Sequence, residues 1–114
     1  MAGTEESSAA MQHLDESLLP EIEGAKQDLS TRLDQPASVI ETIRAERVTW
    51  PDGSLGCPRP GLLYTQALVR GYFIQLRAAG RDWNYHGGRG RLPRLCDSVN
   101  ERLPEDLRSG DLTM

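Results

Sequence analysis

The sequence predicts an α+β fold, an N-terminal amphipathic helix packed on a four- to five-stranded, mainly antiparallel sheet. Three observations predict it. Apolar residues recur at helical spacing from Leu18 to Leu33, β-branched and aromatic residues take over from Val39, and Gly and Pro cut that second region into pieces of strand length. A chain of 114 residues has room for one domain that folds without obligatory staples. The domain is expected to span residues 18–96, between a polar acidic N-terminal tail, 1–17, and a polar acidic C-terminal tail, 97–114. The first tail is rich in Ala, Ser and Glu and is expected to be mobile or a frayed pre-helix.

The helix rests on Leu18, Ile22, Ala25, Leu29 and Leu33, which fall on one face of a 3.6-residue repeat. Pro20 suits the first turn, where its missing N–H breaks no bond, and Glu21 and Glu23 sit near the positive end of the helix dipole. Asp34, Gln35 and Pro36 end it, because a proline disfavours helical backbone at the residue before it.

The first strand is expected over Val39–Trp50, with a bulge, since Ile40, Ile43, Ala45, Val48 and Trp50 do not keep one alternation. Tyr64–Val69 is read as the second strand. Arg70-Gly71 is taken as a tight turn with Gly71 at positive φ, leading to a third strand over Tyr72–Ala78. Ala79-Gly80 turns again into Arg81–His86, whose alternation puts Trp83 and Tyr85 on one face, beneath the helix, and Asp82, Asn84 and His86 on the other. Leu92–Cys96 is a short closing strand, and one helical turn is expected near Val99–Leu103.

The connection from Trp50 to Gly61 holds three Pro, three Gly and one Cys in twelve residues. It is neither helix nor central strand, and its prolines make it stiff. A stiff loop suits binding, because its ordering entropy is spent in folding rather than on contact with a partner. The candidate binding-loop residues are Asp52, Ser54, Leu55 and Arg59. The competing reading is a β-turn at Pro51-Asp52-Gly53 followed by a wide crossover.

Charge is unevenly distributed. Residues 1–41 hold nine acids and two bases, residues 42–96 three acids and nine bases, and residues 97–114 five acids and two bases. Every base of the middle segment is Arg. Such a cluster reads either as an anion-binding patch, with Arg77, Arg81, Arg89, Arg91 and Arg94 as its candidates, or as a basic body neutralised by acidic flanks. No apolar run approaches the roughly 20 residues of a membrane-spanning helix. Met1–Leu19 carries four acids and no Lys or Arg, unlike a signal peptide, so a cytoplasmic setting is expected from the sequence as it stands.

The run Thr49-Trp-Pro-Asp-Gly-Ser-Leu-Gly-Cys-Pro58, with Pro60-Gly61, Tyr64-Thr-Gln66, Gly71-Tyr72, Ile74, Leu76, Tyr85-His86 and Leu95-Cys96, resembles a small uncharacterised bacterial family. The resemblance covers about residues 25–96. It implies a helix ahead of the strands, the same two cysteines and an exported or lipoprotein setting, and it implies no activity. The absent signal peptide departs from that setting. The Gly/Arg-rich stretch Gly87–Arg91 is a second point of difference.

A disulfide between Cys57 and Cys96 is expected if the family's exported setting applies, closing a loop of about 40 residues and contributing on the order of 3–4 kcal/mol. In a reducing compartment both thiols would stay free as small buried hydrophobes. Cys57, His86 and Cys96 could supply three zinc ligands, but no Cys-x-x-Cys or His-x-x-x-His spacing accompanies them, and neither a metal nor a cofactor is expected. For catalysis, His86 with Asp82 or Asn84 could serve a Cys nucleophile, yet Cys57 lies between Gly56 and Pro58 and opens no helix. Gly87-Gly-Arg-Gly90 lacks the Lys of a phosphate loop, and there is no serine elbow. The expectation is a noncatalytic module that binds another protein through its rigid loop. In an inhibitor-like version Arg59, between two prolines, enters a protease pocket. The alternative is single-stranded nucleic acid bound by the arginines with Tyr72, Trp83 and Tyr85 as a stacking platform.

Overall fold

The computed structural model describes residues 14–97, 99–104 and 107. A 3₁₀ turn, Glu16–Leu18, leads into helix α1, Leu19–Leu33, and a second 3₁₀ turn, Ala37–Val39, leads into the sheet. Asp15 caps the entry, its carboxylate accepting the Ser17 N–H. Asp34 ends α1 in a left-handed conformation at φ 54°, its N–H donating to the Ser30 carbonyl. The apolar stripe does what its spacing predicts: Leu18, Ile22, Ala25 and Leu29 are buried and Leu33 packs beside them.

Four strands follow, β1 (Glu41–Trp50), β2 (Val69–Ala78), β3 (Arg81–Gly88) and β4 (Arg94–Cys96), in one antiparallel sheet of order β1-β2-β3-β4. The expected bulge is present, the β1–β2 register shifting between Thr42 and Arg44. The shift puts Ile40 and Ala45, five residues apart, on the same helix-facing side, while Val48 and Trp50 face the opposite side by ordinary alternation. The sheet therefore has two cores. One, under α1, contains Tyr72, Ile74, Leu76 and Tyr85, with Trp83 partly buried at its margin as expected. The other contains Val48, Trp50, Phe73 and Leu107.

Several strand boundaries differ from expectation. Val39 belongs to a 3₁₀ turn rather than to β1, and Tyr64–Val69 is part of the long connection, joining the sheet only at Val69. Arg70-Gly71 is not a turn. Gly71 lies inside β2, opposite Val48 on one side and Gly88 on the other. Its missing Cβ serves close approach instead: a methyl there would run into the Trp50 indole and the Gly87 carbonyl. The indole crosses β2 through that gap and donates from Nε1 to the Gly87 carbonyl at 3.0 Å. The Ala79-Gly80 turn and the strand from Arg81 are as expected, though β3 runs on to Gly88.

Residues outside 18–96 take part in the fold. Leu14 bridges to Ala45, the Asp15 N–H donates to the Ala45 carbonyl at 2.8 Å, and Leu103 and Leu107 pack on the second core. After a turn at Val99-Asn100 no regular element covers Glu101–Pro104, where a helical turn was expected. The expectation for residues 1–13 lies outside the described residues.

Candidate functional site

The connection 51–68 leaves β1 at Trp50 and folds over the second core. Its first turn is held by Asp52, whose Oδ1 accepts the Ser54 N–H at 2.8 Å and the Ser54 hydroxyl at 2.5 Å. Those two bonds, hydroxyl first, hold the Asp52 carboxyl below its ordinary value, and Arg102 adds a smaller pull in the same direction. The N–H groups of Leu55 and Cys57 donate to the carbonyls of Asp52 and Ser54. Leu55 and Gly56 then take left-handed backbone in succession, φ 56° and 76°. Gly56 is required there, since a Cβ would come within 2.5 Å of both Trp50 Cζ3 and the Arg102 carbonyl.

That double turn aims the Leu55 carbonyl into the protein, where it accepts from Nδ1 of His86 at 2.6 Å. The imidazole is 2% exposed. It stacks on Trp50 and meets Phe73 edge-on. Its other nitrogen, Nε2, lies 2.6 Å from Oε2 of Glu101, whose two oxygens also accept from Asn84 Nδ2 at 3.0 Å. Gln75 Nε2 in turn donates to Asn84 Oδ1 at 3.0 Å. This hydrogen-bonded row runs across the face of the sheet opposite α1 and joins the loop, β2, β3 and the C-terminal segment.

At the tip, Pro58 and Pro60 flank an exposed Arg59 whose backbone N–H donates to the Tyr64 hydroxyl at 3.0 Å. The Gly53 N–H donates to the Thr65 carbonyl at 2.8 Å and the Leu62 N–H to the Arg59 carbonyl at 3.2 Å. Cys57 is joined to Cys96 of β4 by a disulfide. Both cysteines are therefore oxidised in the structure, and neither is a free thiol.

Residues 22–96 match the family described as Domain of unknown function (DUF8738). The chain belongs to the DUF8738 family. No curated protein and no solved structure matches it. The DUF8738 match begins on the helix stripe at Ile22 and ends on Cys96, so both cysteines, the loop and His86 lie inside it and Glu101 lies outside.

The sequence-predicted residues separate into groups. Ser54, Leu55 and Arg59 come together with Tyr64, Arg91 and Arg94 around one cavity of about 190 Å³ beside the disulfide. Asp52 supports that cavity from behind, through Ser54. Arg77 and Arg81 are elsewhere, at the Ala79-Gly80 end of the hairpin, and both are paired: Arg77 with Asp82 at 2.8 Å, Arg81 with Asp97 at 3.3 Å and with its guanidinium over the Trp83 ring. The side chains of Arg59, Arg89, Arg91 and Arg94 have no hydrogen-bonding or acidic partner among the described residues. Arg89 stands with Arg70 along a wider groove of about 660 Å³ next to β1. The five-arginine patch expected from the sequence is thus two features: a neutralised pair at one end of the sheet and uncompensated positive charge around the loop.

The stacking platform loses most of its surface. Tyr72 and Tyr85 are buried, and Trp83 is partly buried with Arg81 over its ring. Glu101 and Tyr64 carry much of the site's geometry, and neither was foreseen. Tyr64 falls in a segment with strand composition and Glu101 in a polar, tail-like one, and no local pattern in either case signals the long-range partner.

Proposed function

We propose that the chain is a noncatalytic binding module that uses the disulfide-pinned loop Asp52–Pro60, with Arg59, Arg91 and Arg94, to hold an acidic segment of another protein. The observation that carries this is the unequal treatment of the arginines. Arg32, Arg47, Arg44, Arg77 and Arg81 spend their charge on Asp28, Asp15, Glu46, Asp82 and Asp97, whereas Arg59, Arg91 and Arg94, which line the loop cavity, are exposed with no acid paired to them among the described residues. Charge left uncompensated beside a rigid concavity favours an incoming carboxylate, because the guanidinium fork needs little reorganisation to take one. The loop's ordering has been met in advance by its own hydrogen bonds and the disulfide.

The absence of a thiolate supports the noncatalytic reading: Cys57 is tied up with Cys96, and both ring nitrogens of His86 are engaged inside the protein. The disulfide also favours an oxidising compartment. That agrees with the bacterial, exported setting implied by the resemblance of the Thr49–Pro58 run. Among the described residues no helix is long and apolar enough to cross a membrane.

The test is a titration of the ¹⁵N-labelled protein with a Glu-rich peptide and, in parallel, a single-stranded oligonucleotide. The peptide is expected to saturate and to shift Arg59, Leu92 and Arg94. Arg59→Ala, Arg91→Ala and Arg94→Ala should each weaken it several-fold to about tenfold, corresponding to about 1.4 kcal/mol per factor of ten. Peptide affinity unchanged in all three variants would remove the proposal. Tighter binding of the oligonucleotide through the same arginines, falling steeply with salt, would replace it with nucleic-acid binding. A narrower version has Arg59 entering a basic-specific protease pocket, and failure of the protein to slow a trypsin-like protease would dispose of it.

A further inference from the structure

The disulfide lies at the head of the buried polar row. Ligand atoms of His86, Cys96 and Glu101 all lie within 4.8 Å of one another, and Cys57 Sγ is bonded to Cys96 Sγ. One sulfur, one imidazole nitrogen and one carboxylate therefore converge on one small volume, and the second sulfur, Cys57 Sγ, is one bond away from it through Cys96. They come from the loop, β3, β4 and the C-terminal segment, so the fold alone assembles them. We infer that the reduced chain binds one zinc ion through Cys57, Cys96, His86 Nε2 and Glu101, and that the disulfide is the metal-free, oxidised form of this site.

The chemistry of the donors selects the metal. Two thiolates with an imidazole and a carboxylate make a four-coordinate set for Zn²⁺, with bonds of roughly 2.0–2.3 Å, and are poor ligands for Ca²⁺ or Mg²⁺, which take oxygen. His86 is already oriented for the role. The Leu55 carbonyl can only accept, so the Nδ1 bond to it keeps the hydrogen on Nδ1 and turns Nε2 toward Glu101, the arrangement that fixes tautomer and ring in zinc-binding histidines. Asn84 holds both oxygens of the Glu101 carboxylate, and Trp50 and Phe73 form an apolar wall against the imidazole. Ligands, orienting partner and an apolar wall on one side are thus in place around a bond that a reductant can open. Cys57 is only partly buried, which gives the reductant a way in.

The redox step balances with a dithiol as co-reactant. The dithiol gives two electrons and two protons to the Cys57–Cys96 bond, becoming a disulfide itself and leaving two thiols. Zn²⁺ then displaces the two thiol protons and the hydrogen held between His86 Nε2 and Glu101, and all three protons pass to solvent. Oxidation reverses this: the two sulfurs lose two electrons to an oxidant of the disulfide class, rejoin and release the ion.

The full chain would be treated with a water-soluble trialkylphosphine, which is oxidised to its oxide and leaves no competing thiol, then equilibrated with Zn²⁺, desalted and assayed by native mass spectrometry. One zinc per reduced chain and none per oxidised chain is the expected result. Cobalt in place of zinc should give thiolate-to-metal charge-transfer absorption and tetrahedral visible bands. Glu101→Gln should weaken zinc at least about tenfold, since loss of even an outer partner costs 10- to 100-fold, while the oxidised variant keeps the wild-type circular dichroism. Zinc-free reduced protein would overturn the inference, as would zinc held equally well by Glu101→Gln. Should reduction unfold the chain, zinc must restore the native spectrum; failure to restore it counts equally against the site.

Discussion

The indole of Trp50 and the imidazole of His86 lie face to face, with centroids 4.7 Å apart and planes within 8° of parallel. Each ring is also anchored at its edge, Trp50 by the Gly87 carbonyl and His86 by Leu55 and Glu101. The pair couples the end of β1 to β3 and carries the loop on top of it.

Trp50→Phe should therefore cost more than the volume change alone suggests. It removes the N–H from the Gly87 carbonyl and leaves a gap beside His86, together about 2–4 kcal/mol. A smaller downward shift of the urea midpoint than this amount implies, with the near-UV spectrum preserved, would show that the stack contributes little.

Replacing both cysteines by serine should lower stability by about 3–4 kcal/mol, from the greater freedom of the unfolded chain across a sequence separation of 39. Denaturant unfolding of the oxidised wild type and the double variant measures it. The helix-side core should keep its hydrogen-exchange protection, and the loop amides of Ser54 to Cys57 should lose theirs.

Tyr72 sets an alkaline limit. Burial first, and the nearby Glu21 charge second, push its phenol from 10.0 up to about 12. Its hydroxyl donates to the Arg91 carbonyl at 2.5 Å. A folded-state value above the unfolded one means that the contribution is complete below pH 10 and is lost as pH rises through about 12. Phenolate absorbance should lag behind that of the denatured chain over this window, and Tyr72→Phe should remove one phenol's share of the lag.

Asp52 acts at the other end of the scale. Its carboxyl is held below 3.8 by Ser54, so the turn it closes is supported above that pH and loosens as pH falls through the lower, folded-state value. The Ser54 amide shift should titrate with a midpoint below 3.8 in the wild type. In Asp52→Ala the same amide should show no step there.

The parts of the fold that depend on local periodicity were legible in the sequence. The stripe Leu18–Leu33 marks one buried helix face, and the broken alternation of β1 marks a real bulge. Gly71 misled for a physical reason. A glycine is needed both where backbone turns to positive φ and where another group must come close, and a local sequence window does not distinguish the two. Here the group is the Trp50 indole, reaching a carbonyl 37 residues further along.

The site was legible in its loop and less so in its surroundings. Pro, Gly and Cys between Trp50 and Gly61 point to a stiff segment from composition alone. Which arginines are spent depends on partners. Arg77 meets Asp82 through the hairpin register and was within reach of sequence reasoning, whereas Arg81 meets Asp97 across a longer separation. Glu101 had no pattern to announce it, since a single acid in a polar stretch looks the same whether it faces solvent or a buried histidine.

Gly71 and Gly87 stand on adjacent strands and open the sheet to opposite sides, one receiving the Trp50 indole and the other the Tyr72 ring. A slide of β2 by one residue would bring Arg70 or Tyr72 to the place of Gly71 and close the slot that the indole now fills. The alignment of β2 against β1 is thus policed by an empty place, which rejects an off-by-one pairing that hydrogen bonding alone would accept.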